Sequence, residues 1–230
     1  MPTQTHNIRV AIDGPAGTGK STLARKLAGR IGAAYLDTGA MYRAATLKVL
    51  ESGVDPEDTA AVVAATKDLE LEIGSDPSTS VVILEGKDVS DEIRTSRVTE
   101  SVSAVSAIRE VRENLVALQQ KLAWIGDRSV VLEGRDIGTV VLPDAEVKVF
   151  LTASPEVRAQ RRTDQDTAAG RAADYDEILA AVVARDEKDS SRAESPLRAA
   201  DGAVVVDTSE LGIDDVLERL ADLVAKAQGK

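Results

Sequence analysis

Five short apolar runs punctuate the chain, at Ile8–Ile12, Ala34–Leu36, Ser129–Leu132, Val147–Leu151 and Ala203–Val206. Each is too short for a helix and reads as a buried strand. Between them the apolar residues recur at helical spacing: Leu23, Leu27 and Ile31 lie four apart in Ser21–Ile31, and Val111, Leu115, Leu118 and Leu122 form one stripe in Glu110–Ile125. A stripe of that kind is a core-packing face and carries no chemistry. Further helices are predicted from Thr38 to Leu50, over the Ala/Val-rich segment Ala60–Thr66, behind Ser154 with Pro155 at the first helical position, and around Ile178, Leu179, Val182 and Val183. Helices alternating with short buried strands predict an α/β fold with a five-stranded, doubly wound parallel sheet.

One segment breaks the alternation. Leu69–Ile73 has period two, Asp76-Pro77 marks a turn, Val81–Leu84 follows, and Glu85-Gly86 turns again before Val89. This pattern predicts a small antiparallel meander inserted between the second and third parallel strands. It reads either as an edge decoration that only stabilises the sheet or as an added subdomain.

Composition narrows the classes of function. The chain has 230 residues and a net charge of −11, which disfavours a nucleic-acid or anionic-membrane surface while leaving room for a local basic pocket that takes small anions. Cysteine is absent, so disulfides, thiolate metal sites and thiol nucleophiles are excluded together, and a reducing cytoplasm fits. Met1–Asn7 is polar, with no apolar signal core, and no run of 18 apolar residues occurs. The sole histidine, His6, falls in that polar leader, where an idle, disordered tail is expected. Acyl transfer would lack its usual nucleophile and base here. Phosphoryl transfer needs mainly positioning and charge stabilisation, which Lys, Arg and Mg²⁺ supply.

The sharpest motif is Gly14-Pro-Ala-Gly-Thr-Gly-Lys-Ser21, between the first strand and the first helix. It fits the phosphate-binding loop of P-loop NTPases, in which backbone N–H groups close around phosphate oxygens. Gly14, Pro15, Ala16, Gly17, Thr18, Gly19, Lys20, Ser21 and Thr22 are therefore the expected ATP-binding set. Lys20 would reach the β/γ-phosphates, and the Ser21 hydroxyl would be the Mg²⁺ ligand. After the second strand, Asp37-Thr-Gly-Ala-Met-Tyr-Arg43 brings a hydroxyl, a phenol and a guanidinium to a strand's carboxyl end, where open α/β sheets bind ligands. Thr38 is a candidate helix cap as well. The third strand runs into Glu133-Gly-Arg-Asp-Ile-Gly-Thr139, either a site carboxylate and arginine or a tight turn with a surface ion pair.

Arg158, Arg161 and Arg162 share a helical face, and three guanidiniums together invite phosphate. The polar stretch Thr163–Ala173 then reads as a mobile connection, giving a lid over residues 158–173. Arg185, Asp189 and Arg192 also fall on one face, as a ligand-facing set or as a solvated charge ladder. The charges expected to screen a phosphoryl transfer are Lys20, Arg135, Arg158 and Arg162.

In this order, the phosphate loop, the Thr38-Gly-Ala-Met-Tyr-Arg43 block, the insert ending in Val89-Ser-Asp-Glu-Ile-Arg94, the Glu133–Thr139 block and the Arg185–Arg192 helix resemble the bacterial cytidylate kinases. The likeness spans roughly Ile8 to Ala225. It implies transfer of the γ-phosphate of ATP to CMP or dCMP with Mg²⁺, by a monomer. Carried over residue by residue, Thr38, Arg43 and Arg135 would hold the acceptor phosphate with Tyr42 beside them. Ser103, Arg112 and Asp136 would meet cytosine, Arg185 and Asp189 would face the sugar, and Arg192 would join the phosphate cluster. It also implies a core at 1–39, 114–157 and 174–230, a monophosphate-binding subdomain at 40–113 and the lid at 158–173. One departure stands out: that family often carries Asp where this chain has Glu133.

Overall fold

A computed structural model describes residues 7–192 and 194–229; His6 lies outside them. In chain order the elements are β1 (Arg9–Asp13), α1 (Lys20–Ile31), β2 (Ala34–Asp37), α2 (Thr38–Glu51), α3 (Thr59–Thr66), β3 (Leu71–Ile73), β4 (Val82–Leu84) and β5 (Lys87–Asp88). A 3₁₀ turn (Glu92–Arg94), α4 (Ser96–Val105), α5 (Arg109–Ala123), β6 (Val130–Gly134), a π-helical turn (Ile137–Val141) and β7 (Val147–Thr152) follow. The described chain ends with α6 (Pro155–Ala168), α7 (Tyr175–Ser191), β8 (Val204–Asp207) and α8 (Ile213–Ala227).

The five predicted strands form one parallel sheet in the order β2-β6-β1-β7-β8. Alternation along each strand splits the core in two, because successive side chains face opposite sides of a sheet. Val10, Ile12, Tyr35 and Val131 pack with Leu23 and Leu27 of α1 and Leu220 of α8. Ala11, Leu36 and Leu132 pack on the other face with Met41, Val111 and Leu115 from α2 and α5. Both faces are thus covered, as a parallel sheet requires. The meander is real: β3, β4 and β5 make an antiparallel sheet whose Val82 and Leu84 bury against Ala40, Ala44 and Leu47 of α2.

Chain order sets the location of the crevice. From the central β1 the chain crosses to β2 on one side, and later strands return to its other side at β7, so the carboxyl ends of β1 and β6 open at a topological switch. Two corrections concern helix ends. Asp37, not Thr38, caps α2, its carboxylate accepting from the Ala40 amide at 3.0 Å. The stretch Thr163–Ala173 is helical as far as Ala168, so the connection between α6 and α7 shrinks to a few residues around Gly170. Good helix formers there, Gln165 and Ala168 among them, outweigh polarity, which by itself does not end a helix.

Candidate active site

Backbone geometry comes first at the phosphate loop. Gly14 has φ of +147°, and a Cβ there would lie 2.1 Å from the Leu151 carbonyl oxygen of β7, so only glycine fits. The loop winds around the Nζ of Lys20, which donates to the Pro15 carbonyl at 2.7 Å, while Thr18 Oγ1 donates to the same oxygen at 3.1 Å. Burial, with Arg135 adding repulsion, draws the Lys20 ammonium down to about 7. Opposite it, burial and the Asp37 charge push the Glu133 carboxyl up to about 7. Glu133 is 3% exposed and accepts from Ser21 Oγ at 2.9 Å and from the Tyr35 hydroxyl. A surface ion pair in a tight turn is therefore the wrong reading of Glu133.

The loop forms one end of a cavity of about 420 Å³ at the carboxyl edge of the sheet. Of the expected ATP-binding set, Ala16, Gly17, Gly19, Lys20, Ser21 and Thr22 line it. Gly14, Pro15 and Thr18 do not, and instead brace the loop from behind through the contacts just described.

The middle of the cavity is basic. Arg43, Arg135, Arg162, Arg185 and Arg192 all line it, with Asp189 among them. Asp189 accepts from Arg135 Nε at 3.0 Å and from Arg192 at 2.7 Å. Burial works against its charge, but Arg135, Arg192 and Arg185 outweigh burial and hold the carboxyl below its ordinary value. A solvated ladder is excluded, since Asp189 is 4% exposed. Arg135 also donates to the Gly14 carbonyl at 2.9 Å, which ties the cluster to the phosphate loop. Burial and mutual repulsion pull Arg185 down to about 10 and lower Arg43 and Arg192 as well. The Nε atoms of Arg185 and Arg192 are buried without a partner among the described residues. Buried guanidiniums with open donors, in a chain of net charge −11, are the chemistry that takes an anion.

At the far end Arg112 and Asp136 form a buried ion pair, each about 5% exposed. Arg112 also donates to the Ser106 carbonyl at 3.1 Å and sits 5.4 Å from the centroid of the Tyr42 ring, whose hydroxyl burial pushes up to about 12. Thr38 lines the wall with its hydroxyl donated to the Glu133 carbonyl at 2.7 Å.

Two further expected site residues fall outside the lining. Ser103 is outside the cavity; Ser106, one turn on, lines it beside Val102. Val102 and Ser106, the latter at the end of α4, are four apart and share the inward face, whereas Ser103 is turned about 100° from Val102. Arg158 is also outside the lining. It is buried beneath the phosphate loop, donating to the Ala16 and Ala153 carbonyls at 3.2 and 3.0 Å and pairing with Asp186 of α7. The three arginines of α6 do not act on one anion: Arg161 bonds Thr208, and Arg162 pairs with Asp166 at 2.9 Å while lining the cavity.

Sequence reasoning missed Asp13, Asp37 and Arg94. Asp13 accepts from the Ile137 and Gly138 amides at 2.8 Å each, and burial pushes it up to about 6. Asp37 and Arg94 line the cavity and approach each other at 3.7 Å. Arg94 closes a block whose spacing carried no chemical signal, and Asp13 follows directly on the predicted strand Ile8–Ile12, which the structure extends to include it.

A phosphate loop with a buried lysine, a cluster of cavity arginines and a doubly wound parallel sheet define a P-loop phosphotransferase. The comparisons with known proteins agree and narrow the class. A family model described as cytidylate kinase matches residues 10–226. The cytidylate kinase of Corynebacterium efficiens is 65% identical over 93% of this chain and 93% of its own length, and that of Rhodococcus opacus is 58% identical over 98% of both. The chain belongs to the cytidylate kinase family. Among solved structures, an uncharacterized protein from Eubacterium ventriosum shares the fold at 13% identity, with a TM-score of 0.54 over 96% of this chain and 99% of that one.

Proposed function

We infer that this protein transfers the γ-phosphate of ATP to CMP or dCMP, giving ADP and CDP or dCDP. The observation that carries the reading is the cavity's three-part lining: phosphate loop, arginine cluster, and a buried guanidinium–carboxylate pair. The loop suits the triphosphate of the donor, and the cluster suits the acceptor phosphate. Cytosine offers an amino donor and two acceptors, so a pocket that selects it needs a carboxylate beside a guanidinium or hydroxyl. Asp136 with Arg112 supplies both, and Ser106 takes the third position.

Catalysis needs little covalent help from the chain. The attacking oxygen belongs to a phosphate already ionised at neutral pH, so no general base is required. What remains is to align two anions and screen their repulsion. Lys20 serves the transferring phosphoryl group, while Arg43, Arg135, Arg162 and Arg192 hold the acceptor phosphate, with Thr38 and Tyr42 on the wall behind it. Arg185 and Asp189 face the sugar side. Arg158 acts from below by fixing the loop.

The residues present fit Mg²⁺. Ser21 and Glu133 would hold it, since they offer oxygen donors beside the phosphate loop, the chemistry a hard cation takes. When bound, the ion would add charge stabilisation to the transferring phosphoryl group. The reading includes a subdomain at 40–113 that receives the monophosphate, a lid within 158–173, and a monomeric cytoplasmic enzyme. No helix among the described residues is long and apolar enough to cross a membrane.

A coupled assay of ADP release with ATP and Mg²⁺ across CMP, dCMP, UMP, AMP and shikimate tests the function. The two cytidine nucleotides are expected to be turned over well above the rest. Preferred turnover of shikimate, an alcohol acceptor, would overturn the reading.

A further inference from the structure

Ser21 and Arg25 stand four residues apart on α1, and both side chains reach down onto β2 and β6. Ser21 Oγ donates to Glu133 Oε2 at 2.9 Å, and the Arg25 guanidinium lies 4.3 Å from the centroid of the Tyr35 ring. Tyr35 donates its hydroxyl proton to Oε1, the other oxygen of the same carboxylate. Strand register makes this reach possible. Tyr35 pairs with Val131, so Glu133 is its diagonal neighbour two residues along β6 and on the same face.

A hydroxyl that is to present lone pairs to a cation must send its single proton elsewhere. Glu133 Oε2 accepts that hydrogen bond. A carboxylate held at one oxygen only can still rotate, whereas one held at both keeps its acceptor where the serine needs it. The ring that supplies the second hold is itself immobile. It is 2% exposed, and its backbone amide donates to Ser75 at 2.9 Å. Arg25, packed over it, is anchored on the β3–β4 turn through the Pro77 carbonyl at 3.1 Å, Ser80 Oγ at 2.6 Å and the Thr79 carbonyl.

We propose that Tyr35 is a positioning residue of the phosphoryl-donor side: its hydroxyl fixes the Glu133 carboxylate, and the fixed carboxylate accepts the Ser21 hydrogen bond so that the lone pairs of the serine oxygen face a divalent cation. The proposal rests on Ser21 being a cation ligand. It assigns a role to an apolar-strand tyrosine that never touches a substrate, and it makes the extra methylene of glutamate at position 133 useful, since one side chain must reach both hydroxyls.

Tyr35→Phe removes one oxygen atom from the block. Calorimetric titration of ADP with and without Mg²⁺, in the absence of any acceptor, reads the effect without turnover. The variant is expected to lose about tenfold in affinity for ADP with Mg²⁺, as outer-shell substitutions at metal sites do, and to bind metal-free ADP within about twofold of the parent. In steady state the KM for CMP should stay within about twofold. Glu133→Asp should give the same selective loss, and adding Tyr35→Phe to it should change nothing further. Equal weakening of both forms of ADP, no weakening, or additive losses would overturn the positioning role and leave Tyr35 as packing. Should Tyr35→Phe fail to fold, fluorotyrosine placed at position 35 keeps the ring and changes the strength of its hydroxyl as a donor, and an affinity for ADP with Mg²⁺ that does not move with it would overturn the role. A parent protein whose own ADP affinity ignores Mg²⁺ would overturn the cation reading of Ser21 itself, a result separable from any variant.

Discussion

Lys20 illustrates how a single residue serves the chemistry through burial. In the folded protein burial disfavours its charge and draws the ammonium down to about 7, so an incoming polyphosphate, by supplying the missing counter-charge, favours the protonated amine and is held by it in poorly solvated surroundings. Lys20→Ala is expected to keep the fold and lower kcat by about 10²–10⁴. Circular dichroism with a single-turnover assay checks it, and a kcat within about twofold of the parent would remove Lys20 from the reaction. At the other end of the cavity, Asp136 has its charge matched by Arg112. Asp136→Asn retains the shape but frees the side chain to turn either its oxygen or its amide outward, so uracil is no longer refused by a carboxylate. The ratio of kcat/KM for CMP over UMP should fall by at least about tenfold, roughly 1.4 kcal/mol, mainly through lost CMP activity. Because the change also weakens a buried ion pair, a loss of about 3 kcal/mol in stability is expected in denaturant titrations. An unchanged ratio with a slower overall rate would confine Asp136 to orienting Arg112.

Between elements, Asp13 is the clamp. It closes β1 and accepts from two successive amides of the π-helical turn that follows β6, which carries Arg135 and Asp136 at its entrance. Burial raises its pKa from 3.8 to about 6, so the folded state holds the proton more firmly than the unfolded chain. The associated stability is fully present below about pH 3.8 and is lost as pH rises through about 6. Relative to Asp13→Asn, the parent should therefore lose roughly 3 kcal/mol between pH 3.5 and 7, at about 1.4 kcal/mol per pKa unit. Urea unfolding of both proteins across that range measures it, and a constant gap would mean that Asp13 titrates at its ordinary value. The α6–α7 hairpin shows a second link between elements: Arg158 ties α6 to the phosphate loop and to Asp186 of α7, so movement of the hairpin bears on the loop.

Over the whole molecule, that tie divides the lid. The turn around Arg158 is buried, whereas the hairpin tip from Thr163 to Tyr175 is mostly exposed. Amide exchange is expected to be slow at Arg158 with or without ligand, and to slow on binding a bisubstrate analogue only toward the tip. Equal exchange in both states across the tip would take the lid out of the mechanism. Hydrophobic periodicity carried the layered sheet, because burying both faces of a parallel sheet leaves a chemical imprint on every strand and helix. Local chain geometry carried the phosphate loop as well, since its glycines, lysine and serine act within eight consecutive residues. Spacing along a helix could not say which arginine of α6 faces the cavity, because that depends on what packs against the helix: Arg158 went under the loop, Arg161 to Thr208, and only Arg162 to the site. Ser103 and Ser106 differ by the same kind of rotation. The partnerships of Tyr35 with Glu133, Asp13 with the turn at Ile137, and Arg112 with Asp136 join residues from 24 to 124 positions apart. Strand register and helix docking decide such pairs, and no short window of sequence contains both members.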